Sequence, residues 1–196
     1  MDQQFWDDMY GETEQRFSGL PNDALVTEVA GMAPGQALDL GCGEGADAYW
    51  LAEQGWQVTA VDISKVAIER ASAGHPEIAW QQADITVTPL PARSFDLVSA
   101  HYFPIEKEPD HATLLGLLDT VAPGGTLLFV THDPTEMPAP EEHPHHFDPY
   151  AYYLPVDIVP LLDDRWTVEV DDKRDRNRPA AGHQVLDLVL RVRRVS

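Results

Sequence analysis

The chain has 196 residues, 43% of them hydrophobic, enough to bury one substantial core, and a single domain is expected. Its formal net charge of -20 argues against a general nucleic-acid binder or a ligand of anionic membranes, since both interactions need Lys and Arg facing phosphate. No run approaches the roughly eighteen apolar residues of a membrane span, and the single cysteine, Cys42, excludes an intrachain disulfide.

The start, MDQQFWDDMY, is acidic and aromatic and lacks the basic head and apolar centre of a secretory signal. Together with the lone cysteine it sets a cytoplasmic location as the expectation. Within it FWDDMY carries an aromatic stripe, followed by Arg16-Phe17 and a turn at Pro21. This region, residues 1–35, reads as a helix packed on the domain or as a lid over a ligand. ALDL at 37–40 is a short apolar run ending in glycines, so a buried strand. Residues 46–54 suit a helix that closes on Gly55. WQVTAVD at 56–62 is β-branched and strand-like, and Ser64 can cap a helix running to Ala71. IAWQQ at 78–82 and FDLVSA at 95–100 are further strands. Leu114, Leu117, Leu118 and Val121 fall on one helical face, which Pro123-Gly124-Gly125 is expected to stop. TLLFVTH at 126–132 is a strongly apolar strand. Strands alternating with helices imply right-handed βαβ units and a mostly parallel sheet covered on both faces.

Beyond His132 the pattern changes. Residues 133–150 hold five prolines and a His/Glu cluster and read as a long loop, with 133–155 expected to face a substrate. Pro155 opens a short helix toward Leu162, kinked or shortened by Pro160. Residues 166–170 look like a strand and 171–178 like a charged turn. Leu186, Leu188, Leu190 and Val192 alternate strictly, the signature of a half-covered antiparallel strand at or near a sheet edge.

The stretch DLGCGEG places Asp39, Gly41, Gly43 and Gly45 at alternate positions between a strand and a helix. Glycine there permits positive φ and close approach of a ligand to the main chain, but the spacing differs from the dinucleotide GxGxxG fingerprint. Asp62 ends the second strand, where a carboxylate can accept from both hydroxyls of a ribose. Asp84 follows the third strand, placed to accept from an adenine amine, with Ile85 against the ring. Each acid alone would equally serve as a turn or helix cap; acids at three successive strand ends beside a glycine turn favour a ligand.

ALDLGCGEG, VTAVDIS, QQADIT, SFDLVSA and APGGTLLFV resemble, in order and at ordinary spacing, the successive motifs of class I S-adenosylmethionine-dependent methyltransferases, from about residue 37 to 132. FWDDMYGE and FSGLPN, with the short length, are more loosely similar to the small bacterial tellurite-resistance and thiopurine methyltransferase-like group. The resemblance implies a Rossmann-like three-layer α/β sandwich with a seven-stranded, mostly parallel sheet of order 3-2-1-4-5-7-6, strand 7 antiparallel. It implies S-adenosyl-L-methionine as cofactor and S-adenosyl-L-homocysteine as product. Asp39, Gly41, Gly43 and Gly45 would line its methionine and ribose part, with Cys42 packed in the same turn. Asp62 and Ile63 would hold the ribose, Asp84 and Ile85 the adenine. His101 would face the junction of cofactor and acceptor, and Arg16, from the lid, would meet the methionine carboxylate unless it is a solvated surface residue.

Methyl transfer from a sulfonium is an in-line displacement that needs alignment, exclusion of water and, for a protonated nucleophile, a base. His101, Tyr102 and His132, all at carboxyl ends of strands, are the candidates, unless positioning alone suffices. EEHPHHFDPYAYY at 141–153 has metal-binding chemistry in Glu141, Glu142, His143, His145 and His146, but its spacing matches no recognised zinc pattern, and no metal is expected. After the fourth strand SAHYFP departs from the Pro-Pro-aromatic tetrapeptide of base-modifying amino-methyltransferases, which with the acidic charge argues against nucleic acid. The expected partner is a small-molecule methyl acceptor, with no nucleic acid and no membrane, the chain acting as monomer or homodimer. Two alternatives stay open: an NAD(P)-dependent oxidoreductase on a similar fold, and a non-catalytic cofactor-binding domain.

Overall fold

The computed structural model describes residues 1–137, 147–176 and 186–195. Seven strands form one sheet: β1 (Gln36–Leu40), β2 (Gln57–Asp62), β3 (Ala79–Gln82), β4 (Phe95–His101), β5 (Val121–His132), β6 (Trp166–Asp175) and β7 (Leu186–Arg194), in the order β3-β2-β1-β4-β5-β7-β6. β1 pairs in parallel with β2 and β4, β2 with β3, and β4 with β5. β7 runs antiparallel between β5 and β6. The helices are α1 (Gln3–Gly11), α2 (Asp23–Val29), α3 (Ala46–Glu53), α4 (Lys65–Ala71), α5 (Ala112–Thr120) and α6 (Pro155–Ile158). The expected strand order and the antiparallel seventh strand are both present.

Two apolar layers flank the sheet because adjacent residues of a strand point to opposite faces. Leu38, Leu40, Val98, Leu127, Phe129 and Leu190 pack with Leu114 and Leu117 of α5 and Ile158 of α6. Ala37, Val58, Leu97, Leu128, Val130 and Val189 pack with Leu25 of α2 and Leu51 of α3. Each fully buried leucine or valine contributes about 1.5–3 kcal/mol relative to exposure.

Local sequence sets the boundaries. Ser64 caps α4, its hydroxyl accepting from Ala67 N at 3.1 Å. Pro155 occupies the first turn of α6, where Leu154 N donates to the Asp157 carboxylate at 3.0 Å. Pro160 cannot continue the α-helical ladder, and the chain tightens into a 3₁₀ turn over Val159–Leu161.

Three expectations need correction. α5 ends at Thr120, and Pro123-Gly124-Gly125 lies inside β5, where the pairing with β4 slips between Phe95 and Leu97. A side chain on Gly125 would meet the carbonyls of Phe95 and Ala122 at 2.8 and 2.9 Å, so this irregularity requires glycine. The supposed charged turn after 170 is strand through Asp175, because β6 is an edge strand whose charges stand in solvent. β7 is covered on both faces: α2 lies over the face holding Val189, and its buried Glu28 binds Arg174 of β6 and Arg191 of β7. The His143, His145 and His146 cluster lies outside the described residues. Among the described residues no helix is long and apolar enough to cross a membrane.

Glu28→Ala should leave Arg174 and Arg191 without their shared carboxylate and lower unfolding free energy by about 3 kcal/mol, seen as a reduced urea midpoint; an unchanged midpoint would show that the anchor contributes nothing.

Candidate active site

Turns at the carboxyl edge of a parallel sheet converge on its crevice, and the main chain between β1 and α3 is shaped by glycine. Gly41 and Gly43 have φ of 70° and 51°, in the left-handed region. A Cβ on Gly41 would lie 2.6 Å from Phe103, and one on Gly43 would lie 2.7 Å from the Tyr10 hydroxyl. Gly41 N and Cys42 N donate to Val61 O at 2.8 and 3.1 Å, binding the turn to β2. Asp62 completes the link: Oδ2 accepts from Gly43 N at 2.9 Å and Oδ1 from Ser64 N at 2.8 Å. These bonds use two of the about four acceptor positions of a carboxylate.

Beneath the turn lie Asp39, Asp47 and Asp62, all buried. Burial, then the nearby charges of Asp47 and Asp62, push Asp39 well above the usual carboxylate range. Among the described residues its Oδ2 has no hydrogen-bond partner. Burial also raises Asp62, against the two amides that favour its charge. Asp47 accepts from the main-chain and side-chain amides of Asn22, fastening the start of α2 to α3. Burial, then Asp39 and Asp62, raise the Cys42 thiol, so it is a protonated packing residue and no thiolate nucleophile.

α1 and the segment after it cover this floor. Asp7 Oδ1 accepts from the Ser64 hydroxyl at 2.6 Å and from Val66 N at 3.1 Å. Glu44, inside the glycine turn, accepts from the amides of both Arg16 and Phe17 and pairs with Arg70. The region expected as a packed helix or a lid is a helix and strap clasped to the turn, with Tyr10 seated on Gly43. Arg16 belongs to the strap, and its guanidinium pairs with Glu12 at 2.9 Å. Asp84 is half-buried at the end of β3, and its Oδ1 takes the amide and hydroxyl of Thr86 at 2.9 and 2.7 Å. Ile85 packs on the core and Ile63 precedes the cap of α4. Two grooves, of about 190 Å³ beside Trp166 and Arg194 and about 520 Å³ beside Gln36 and Trp56, lie at the opposite edge of the sheet.

His101, Tyr102 and His132 occupy the ends of β4 and β5. His101 is buried, its Nδ1 2.9 Å from the Ser99 hydroxyl and 3.8 Å from Asp47, and among the described residues its Nε2 has no hydrogen-bond partner. Burial lowers its basicity. Tyr102 has φ of 54°, stacks on His132 at 4.3 Å and donates to Asp187 at 2.8 Å; burial raises its phenol. The sequence reading named Tyr10 only as the end of the FWDDMY stripe and missed Glu44, Phe103, Arg176 and Asp187. Of these four only Asp187 had a usable signal, an acid between apolar residues in an alternating strand.

The floor fits an adenosyl amino acid. Asp39 offers a buried, unpartnered carboxylate oxygen for a cationic group, Asp62 retains acceptor capacity for hydroxyls, and the turn presents main chain in place of side chains. Tyr10 and Phe103 rest on Gly43 and Gly41, so a ligand approaching the turn has to displace both side chains.

Residues 37–125 match the family described as a methyltransferase domain. An uncharacterized methyltransferase of Mycobacterium tuberculosis is 37% identical over 111 residues, 56% of each chain. Trans-aconitate 2-methyltransferase of Methylobacterium radiotolerans is 38% identical over 110 residues, 55% of this chain and 42% of that one. The chain thus spans about half the length of the curated relatives it matches. A structure solved in work on the conversion of a disulfide bond into a thioacetal group during echinomycin biosynthesis shares the fold. Its TM-score is 0.74 at 23% identity, covering 98% of this chain and 92% of that one.

Gly43→Ala should cost about 1–3 kcal/mol of stability through its left-handed backbone and the collision with Tyr10. Adding Tyr10→Phe should recover the collision share alone, so urea unfolding of the four-variant cycle should show non-additivity; strict additivity would separate the two residues.

Proposed function

We propose that this chain, whose fold and matched domain are those of the class I S-adenosylmethionine-dependent methyltransferase superfamily, is a methyltransferase acting on a small molecule. The observation that carries this reading is the glycine turn held to Asp62 above a buried, partnerless Asp39 oxygen. S-adenosylmethionine, when bound, supplies an electrophilic methyl group on a sulfonium sulfur. Asp39 would balance the cationic amino acid end, and the main chain of Gly41, Cys42, Gly43 and Gly45 would pass close to it. Asp62 and Ile63 would hold the ribose, and Asp84 and Ile85 the adenine. Tyr10 and the strap would close over the site and keep water from it, with Arg16 free to exchange Glu12 for a carboxylate of the ligand.

A small-molecule acceptor is supported by the chain's charge, which repels polyanions, and by the matched trans-aconitate enzyme. The matched domain and relatives are methyltransferases, which sets the nicotinamide alternative aside. A cytoplasmic location and a monomeric or homodimeric state belong to the same proposal.

Titration calorimetry should show S-adenosylmethionine and S-adenosylhomocysteine binding in the micromolar range and no binding of NAD(P); the reverse would end this reading. Asp62→Ala should weaken that binding by about 1.5–3 kcal/mol, the scale of a charged hydrogen bond, and an unchanged affinity would point the carboxylate elsewhere. Binding should also release a proton. Asp39 holds its proton above the usual range when free, and a cation favours the carboxylate. Affinity should therefore rise with pH up to the free-state value and then level off. Calorimetry in two buffers of different ionisation heat would detect the release, and a proton-neutral association would contradict it.

A further inference from the structure

Asp187 enters β7 at its second position, is almost fully buried, and joins three side chains from three other segments. Its Oδ2 accepts from the Tyr102 hydroxyl at 2.8 Å and lies 3.5 Å from Arg176 Nε. Its Oδ1 faces His132 Nδ1 at 3.4 Å, an ion-pair distance longer than a hydrogen bond, and among the described residues both atoms are buried with no hydrogen-bond partner, so each is the other's nearest complement. The Tyr102 ring stacks on His132, and the Arg176 guanidinium lies 4.4 Å from the same ring's centroid. Tyr102 reaches this place through a left-handed backbone, φ 54°, uncommon outside glycine and a recurrent mark of functional sites. The His132 side chain keeps 34% of its surface exposed while its Nδ1 is buried, so the exposed part of the ring lies away from Asp187.

We propose that Asp187 is a positioning residue that orients His132 as the general base of the methyl transfer, and that the acceptor is a heteroatom still carrying its proton, such as a thiol or phenol, not a preformed carboxylate. This inference rests on the methyltransferase reading above. A carboxylate accepts only, so His132 presents Nδ1–H to it and leaves Nε2 as the basic nitrogen. His132 Nε2 takes the acceptor's proton, the freed pair forms the new bond to the methyl carbon, and the carbon–sulfur bond breaks with its pair left on sulfur. The imidazolium formed is balanced by Asp187 and later loses its proton to solvent. Burial raises Asp187, but the contacts of His132, Tyr102 and Arg176 outweigh it and hold the carboxyl below its usual range, so it is ionised when needed. The charged and titratable groups around His132 are Tyr102 beyond β4, Arg176 beyond β6, Asp187 on β7, and its chain neighbour Asp133, paired with Lys173 of β6. Of the three candidate bases, His101 is sealed in and Tyr102 donates its proton to Asp187, which leaves His132.

The first test needs no acceptor. Nitrogen-15 NMR of the whole chain should find neutral His132 protonated at Nδ1, and Asp187→Asn should mix the tautomers and make the ring less basic. A wild-type Nε2–H tautomer, or a titration indifferent to Asp187→Asn, overturns the proposal. Tyr102→Phe, which removes one donor to Asp187 and keeps the ring, gives a second reading should Asp187→Asn fail to fold: it should make Asp187 the stronger acceptor and shift the same resonance in the opposite sense, and an unmoved resonance would count against the proposal. The second test follows methyl transfer to para-alkyl phenols, which keep their proton at neutral pH, and to trans-aconitate. His132→Gln should lower kcat on the phenols at least 100-fold with the dissociation constant of S-adenosylmethionine unchanged, and Asp187→Asn should move the alkaline-rising limb of the pH profile. Transfer to trans-aconitate alone, insensitive to His132→Gln, overturns the inference and leaves the methyltransferase reading standing; a wild-type chain that fails to bind S-adenosylmethionine overturns the reading itself.

Discussion

One carboxylate joins the parts of this molecule that matter. Asp62 closes β2 and accepts from Gly43 in the first turn and from Ser64 in the second, so neither turn can move without the other. Ser64 in turn caps α4 and donates to Asp7, which brings α1 over the same place. Sheet, turn, helix and cover are thus linked through a chain of three polar side chains. An apolar residue at position 62 would leave the amides of Gly43 and Ser64 unpaired and untie the first turn from the second.

The electrostatics of the site follow from the same crowding. Asp39, Asp47 and Asp62 meet beneath a turn whose backbone carries no cation, and the whole chain adds a strongly negative field. Such a field draws cations toward the crevice and disfavours phosphates. The expected ligand has one fixed positive sulfur and an ammonium, which suits a floor of acids better than it would suit a pyrophosphate cradle.

Much of the frame was legible in the chain because it is written in short-range chemistry. The cap at Ser64, the face Leu114-Leu117-Leu118 and the glycine turn each declare themselves within a few residues. What escaped is long-range. The charged run Asp171-Asp172-Lys173-Arg174-Asp175 read as a turn because nothing local reveals that it forms an edge strand against β7. The alternation in β7 read as half-covered because the cover, α2, is anchored by Glu28 from more than a hundred residues away. Asp187 looked like the solvent side of a strand, although β5 and the end of β6 enclose it. Of the site, the glycine turn and the acids at the strand ends were readable from spacing, whereas the grouping of Tyr102, His132, Arg176 and Asp187 exists only once four segments are assembled.

The outermost strands carry a consequence for self-association. β6 ends the sheet on one side with a dense mixed run of acidic and basic groups, several of them paired within the strand or with its neighbour. β3 ends it on the other with only four residues, flanked by turns. Neither margin offers the long, flat, uncharged ribbon onto which a second copy could extend the hydrogen-bond ladder. Among the described residues the sheet is therefore guarded at both rims, and helix faces and loops are the surfaces left for self-association.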